Sequence, residues 1–204
     1  VPANIRPKYA VLPMKTVILC CASLEKEVRL AMARKEISYP LHILTDNNHD
    51  VPNRLREAIQ RELDGIQDAD RVLMAFGTCG GAMVGLRTGN FQLILPRVDD
   101  CLSLLMGSME QRYAALQGGF GIFLTESWLS SSRSMENELE RIRRVYPPKR
   151  AETIIRLMYR NFDSLNVIDT GAYPVESILP RTQALAGQLH LTHRVVPGGS
   201  GDLE

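Results

Sequence analysis

Seven short apolar runs punctuate this chain, and turn residues and longer amphipathic stretches separate them. The first, Lys15-Thr16-Val17-Ile18-Leu19-Cys20-Cys21, is nearly continuous in apolar and β-branched residues. That is the pattern of a strand covered on both faces. The others are Tyr39 to Leu44, Arg71 to Phe76, Phe91 to Pro96, Gly121 to Thr125, Asn166 to Gly171 and His193 to Val196. Strands alternating with helices predict an α/β fold with a mainly parallel sheet of about five to seven strands flanked by helices, a Rossmann-like three-layer arrangement.

The intervening stretches carry helix signals. Ser23 stands where an N-cap belongs, and Leu24, Val28, Leu30, Ala31 and Ala33 give the following segment an apolar stripe. Pro52 opens a second helix, with Leu55, Ile59 and Leu63 at fourfold spacing. Helical patterns also run from Cys101 through Tyr113, with a break at Gly107-Ser108, and over 131–144, 151–162 and 177–190. Pro147-Pro148 separates two of them, but the pieces beyond look too small to stand alone.

The organisation is therefore an irregular arm over 1–14, with Pro2, Pro7 and Pro13, and a single α/β domain over 15–204. The last residues, Pro197 to Glu204, read as a loop leading into a helix start, so a further C-terminal segment is expected. No apolar run approaches the roughly 18 residues of a membrane span, and no secretion signal is visible. A net charge of +1 and a single Trp give neither a basic footprint nor a base-stacking surface. These features imply a soluble cytoplasmic protein without a nucleic-acid or membrane role.

In a parallel sheet, ligands gather outside the carboxyl ends of the strands. Cys21 ends the first run, His49 follows the second, Cys79 the third and Cys101 the fourth. Four consecutive connections thus each deliver one thiol or imidazole to the same edge. Thiolate and imidazole suit zinc, and thiolates also hold iron–sulfur clusters. The scattered spacing matches no zinc ribbon, and tertiary gathering of ligands fits a substrate-binding metal better than a structural clip. The plain alternative is packing, since free cysteine is often a small buried hydrophobe. Cys20, which must point to the other side of its strand, reads that way.

Two loops beside these thiols carry further candidates. Gly77-Thr78-Cys79-Gly80-Gly81 is a glycine-rich turn ahead of an expected helix, where the backbone of Gly77, Gly80 and Gly81 can cradle an anion or admit a bulky cofactor. It is neither a P-loop nor a dinucleotide fingerprint. Pro96-Arg97-Val98-Asp99-Asp100-Cys101 sets a cation, two carboxylates and a thiol within six residues. One aspartate suits a helix cap; the other suits a general base or a partner for a metal-bound histidine. A helix starting at Cys101 is expected to lower its thiol pKa. Arg97, Asp100 and Asp169 are the candidate catalytic residues, and Thr125 to Trp128 is a further strand end that can line the same crevice.

The strings Cys21 to Glu27, His49 to Leu55, Gly77-Thr78-Cys79-Gly80, Pro96 to Cys101 and Leu105-Met106-Gly107-Ser108 resemble those of a prokaryotic family of domains of unknown function. Its members are common in methanogenic archaea and anaerobic bacteria and are often encoded beside corrinoid-dependent methyltransferases. The resemblance covers roughly Thr16 to Leu203, including Ile168 to Tyr173. Phe76-Gly77 stands where the family usually has Tyr-Gly, and Thr125 to Trp128 is less glycine-like than the family form.

The resemblance implies that Cys21, His49, Cys79 and Cys101 are the ligand set, and that the protein serves corrinoid or one-carbon, methyl-transfer metabolism. The expectation is a metal-binding protein with zinc, or alternatively an iron–sulfur cluster, and contact with a corrinoid. As an enzyme it would be a metal-dependent methyltransferase or of lyase type, acting on a small-molecule substrate. The alternatives are an accessory protein that delivers metal or cofactor to a corrinoid protein or methyltransferase, and a small-molecule binding module with packed thiols.

Overall fold

The computed structural model describes residues 14–45 and 51–204 of the chain. Nearly all of the N-terminal arm and the residues 46–50, His49 among them, lie outside the described residues.

Strand β1 (Thr16–Cys21) is buried at every position, as its unbroken apolar run requires. It pairs in parallel with β2 (Leu41–Leu44) on one side and β3 (Arg71–Ala75) on the other. β3 pairs in turn with β4 (Gln92–Ile94), giving the order β2-β1-β3-β4. β5 (Gly121–Leu124), β6 (Ser164–Asp169) and β7 (Thr192–Pro197) form a second parallel sheet with β6 in the middle. The α/β class and the parallel pairing are as the sequence implies; the strands divide into sheets of four and three. β4 marks the division as a three-residue edge strand, of the short kind that ends a sheet.

The helices cover these sheets in layers. α2 (Pro52–Gly65) opens on its proline and packs Leu55, Ile59 and Leu63 against one face of the first sheet, with Leu19, Cys21, Val72 and Phe76. The opposite face holds Ile18, Cys20 and, from α1 (Glu25–Arg34), Val28. These share a single core with Leu104 and Leu105 of α3 (Cys101–Met106) and with Phe123, Ile168 and Val196 of the second sheet. A third core lies beyond the second sheet. There α6 (Met135–Val145), α7 (Pro148–Tyr159) and α8 (Leu179–Leu189) bury Leu139, Ile142, Ile155 and Leu185 against Leu165 and Val167. The shared core joins the two sheets into one body.

Several boundaries differ from the sequence pattern for identifiable reasons. Ser23 does not cap α1: it sits inside a 3-10 turn, Ala22–Leu24, and Leu24 takes the cap position without a side-chain bond. Ser134 rather than Ser131 caps α6, its Oγ accepting from the Asn137 N–H at 3.3 Å. Pro148 opens α7 from its first turn, earlier than the apolar spacing suggests, because a proline N–H is not missed there. No helix follows the glycine-rich loop after β3; the chain there makes a 3-10 turn, Cys79–Gly81, and continues as loop to β4. α3 ends where expected, at Gly107 with φ 76°, and the chain resumes as α4 (Met109–Leu116).

Candidate functional site

The geometry begins with the alternation of β1. Cys20 packs with Ile18 in the core shared by the two sheets, while Cys21 packs with Leu19 on the α2 side. Cys20 is therefore a packing residue, and burial raises its thiol to about 12. Cys21, on the other face, ends its strand beside the loops that follow β3 and β4.

Those two loops run side by side. The Thr78 N–H donates to the Val98 carbonyl and the Cys79 N–H to the Asp99 carbonyl, each at 2.9 Å, and the Thr78 hydroxyl also donates to Asp99 O at 3.0 Å. Gly77 makes this approach: a Cβ built on it would stand 2.3 Å from Asp100 Cα, so no other residue fits without moving backbone. Cys79 then turns left-handed at φ 44°, followed by Gly80 at 68° and Gly81 at 86°. That conformation is costly for a side chain with a Cβ. The N–H groups of Thr78, Cys79, Gly81 and Ala82 all donate to backbone carbonyls. Of the glycines expected to form an anion cradle, Gly81 donates its N–H within the turn, to the Thr78 carbonyl, and no helix N-terminus stands behind the loop. Gly77, Gly80 and Gly81 serve the turn itself.

Cys101 is the first residue of α3 and is buried. Burial is the largest influence on all three thiols beside these loops, and it pushes every one up. Cys79 is raised further by Cys21 and Asp100, to about 11. Cys101 is raised further by Cys21, Cys79 and Asp100. The charges of Cys21 and Cys79 thus both reach the Cys101 sulfur. The expectation that a helix start would lower the Cys101 thiol is overturned: desolvation and neighbouring negative groups outweigh the end of a six-residue helix.

The neighbouring polar groups have defined tasks. Asp100 caps α3, its Oδ1 accepting from the Ser103 N–H at 3.1 Å, while Oδ2 pairs with Arg112. That leaves it poorly suited to the general-base role considered from sequence. Arg97 and Asp99 are exposed. Asp169, at the end of β6, is exposed and accepts from the Gly171 N–H at 3.2 Å. Its charge is felt by Tyr173 rather than by the thiols. It belongs to a second polar group, in which the Thr170 hydroxyl donates to Glu27 at 2.9 Å. Thr125 to Trp128 lies nearby: α5 (Glu126–Leu129) packs on the 3-10 turn after Cys21, and Glu126 pairs with Lys26.

Two residues of this region were not marked as functional by the sequence. Ser23 looks like a helix cap but donates its hydroxyl to Cys21 Sγ at 3.0 Å. Glu27 looks like an ordinary acid of a first turn but is fully buried. A signal for it exists, since Leu24, Glu27, Val28 and Ala31 fall on one helical face that is otherwise apolar.

Of the four expected ligands, Cys21 and Cys79 lie near enough to Cys101 for their charges to raise its thiol, and His49 lies outside the described residues. Among the described residues, no group of three His, Cys, Asp or Glu side chains is arranged to hold a metal ion as it stands. The donor chemistry fits a soft or borderline cation: three free thiols with no disulfide among them. Among the described residues, no helix is long and apolar enough to cross a membrane.

A family model described as "Protein of unknown function (DUF1638)" matches residues 43–204. The chain belongs to this family. The DUF1638 match covers β3 onward, with Cys79 and Cys101, together with the His49 position; it begins beyond β1, so Cys21, Ser23 and Glu27 precede it. No curated protein matches the chain.

Proposed function

We propose that this DUF1638 protein binds a metal ion or metallocluster through Cys21, Cys79 and Cys101, with His49 as fourth ligand, and acts in corrinoid or one-carbon, methyl-transfer metabolism. The reading is carried by three free thiols that follow three separate strands, Cys21 and Cys101 buried and Cys79 half-buried in the loop hydrogen-bonded to the one that leads into Cys101. Packing alone gives no reason to hold Cys79 in a left-handed conformation beside them. A bound zinc would act as a Lewis acid toward a thiol or methyl-donor substrate; an iron–sulfur cluster is the alternative occupant of the same sulfurs.

The residues of the chain supply the remainder. Burial excludes water from the sulfurs of Cys21 and Cys101 and keeps them neutral until a cation displaces their protons. Ser103 and Arg112 hold the Asp100 carboxylate at the edge of the site. An accessory role, delivering metal or cofactor to a methyltransferase, is the second reading. It is favoured by the engagement of the Asp100 carboxylate in the α3 cap and the Arg112 pair, which occupies the carboxylate next to Cys101.

Elemental analysis and visible spectroscopy of anaerobically purified protein test the site. Stoichiometric zinc in a colourless protein, or brown protein bleached by dithionite, supports it. Metal-free protein that takes up neither zinc nor cadmium would falsify it.

A further inference from the structure

A cavity of about 400 Å³ opens between α7 and α8 at the amino-terminal edge of the second sheet, where Phe162 precedes β6 and His190 precedes β7. The periodicity of α7 builds two of its walls. Ile155 and Tyr159 stand one turn apart and, with Phe162 and Leu189, make an apolar wall in which the Tyr159 and Phe162 ring centroids lie 6.3 Å apart. Glu152, Arg156 and Arg160 stand one turn apart on the adjoining row and make a charged one.

The charges of that row are not balanced along the helix. Glu152 stands four residues before Arg156, the favourable order for an ion pair. It pairs instead with Arg143 of α6 at 3.3 Å, and Arg143 also donates to Gln188. Among the described residues, neither Arg156 nor Arg160 has an ion-pair or hydrogen-bond partner. Two like charges one turn apart repel, and here both border one cavity beside an apolar wall. Helix stability gives no reason for that arrangement; an anion seated between the guanidiniums does.

We infer that this cavity binds a small molecule in which a flat ring carries a phosphate group, with the phosphate on Arg156 and Arg160 and the ring against Tyr159, Phe162 and Leu189. Forked guanidiniums match the oxygens of a phosphate, and a volume of about 400 Å³ suits a small-molecule site. The thiols follow strands of the other sheet, so this site is separate from them and needs no metal.

Phenyl phosphate is the probe, titrated into the full chain and followed by the methyl NMR signals of Ile155 and Leu189, with inorganic phosphate and phenol as its two halves. Phenyl phosphate should shift both residues and bind about 10-fold more tightly than either half. R156Q and R160Q, at exposed positions, should each weaken it by about 10-fold while leaving phenol unaffected. Phe162→Ala should weaken phenyl phosphate but not inorganic phosphate. Inorganic phosphate binding as tightly as phenyl phosphate would reduce the site to surface charge and overturn the inference. Unchanged affinity in the double variant R156Q/R160Q, or shifts that bypass Ile155 and Leu189, would overturn it as well.

Discussion

The Thr170 hydroxyl, at the end of the central strand of the second sheet, donates at 2.9 Å to the buried carboxyl of Glu27, in the first helix of the other half. The second carboxyl oxygen, Oε2, is buried without a hydrogen-bond partner. Burial, named first among its influences, raises the Glu27 pKa above the ordinary carboxylate value. An acid raised in the folded state is ionised first in the unfolded chain. Its favourable balance is complete below the unfolded value of about 4.3 and is lost as pH rises through the folded value. Glu27→Gln keeps an acceptor for Thr170 and cannot ionise. The wild-type stability should therefore fall relative to E27Q between pH 5 and pH 8 in urea unfolding. Parallel pH profiles for the two proteins would contradict this.

Gly77 allows the β3 and β4 loops to touch, and a Cβ there would meet Asp100 Cα at 2.3 Å and the Asp100 carbonyl carbon at 2.4 Å. Backbone cannot yield as a flexible side chain can. Gly77→Ala should cost about 1–3 kcal/mol, in the manner of an overpacked core. It should also weaken cadmium binding by separating Cys79 from Cys101. Gly65→Ala, where a Cβ meets nothing within 4 Å, is the control and should leave binding unchanged. Denaturant melts and a cadmium titration of both variants measure the contrast.

Cys79 is held at φ 44°, where a left-handed backbone costs a residue with a Cβ roughly 1–2 kcal/mol. Cys79→Gly removes that strain while adding freedom to the unfolded chain, so the net gain should be no more than about 1 kcal/mol. The metal-free variant should match or exceed wild type in stability, yet lose the charge-transfer band with cadmium. A site retained for chemistry rather than for folding behaves in this way. A strongly destabilised C79G would instead mark the thiol as ordinary core packing.

The elements were legible wherever apolar spacing was long and regular. β1 and α2 are of that kind: their pattern alone specified which side chains face inward, and Cys20 and Cys21 were assigned to opposite faces by strand alternation. The division into two sheets was not legible, because pairing between strands depends on which faces share a core, and Phe123, Ile168 and Val196 carry no local mark of meeting Ile18. Local rules also misdirected where tertiary contacts overrode them. Ser23 had the sequence context of a helix cap, but the Cys21 sulfur offered its hydroxyl a different partner. Cys101 had the context of an activated thiol, but burial and the surrounding charges reversed the direction. Cys21, Cys79 and Cys101 could be considered as a set from sequence because they all follow strands, and strand ends are where a parallel sheet collects its loops.

Asp100 links the cap of α3 to the electrostatics of the thiols, and the two roles can be separated. Its carboxylate accepts from the Ser103 N–H and pairs with Arg112, and its charge is among the influences that raise Cys79 and Cys101. Asn caps helices about as well as Asp, so Asp100→Asn preserves the cap while removing the charge. The negative neighbour opposed thiolate formation, so its removal should lower the Cys79 pKa from about 11. At a fixed pH between 8 and 9 a larger fraction of Cys79 is then thiolate, the form that reacts. Iodoacetamide should alkylate Cys79 in metal-free D100N faster than in wild type, with the rate–pH profile displaced to lower pH; Cys20, on the opposite face of β1, should be unaffected. Mass spectrometry of the modified peptides resolves the sites. If the Cys79 rate is unchanged while the unfolding midpoint also stays constant, Asp100 does not act on the sulfurs at all.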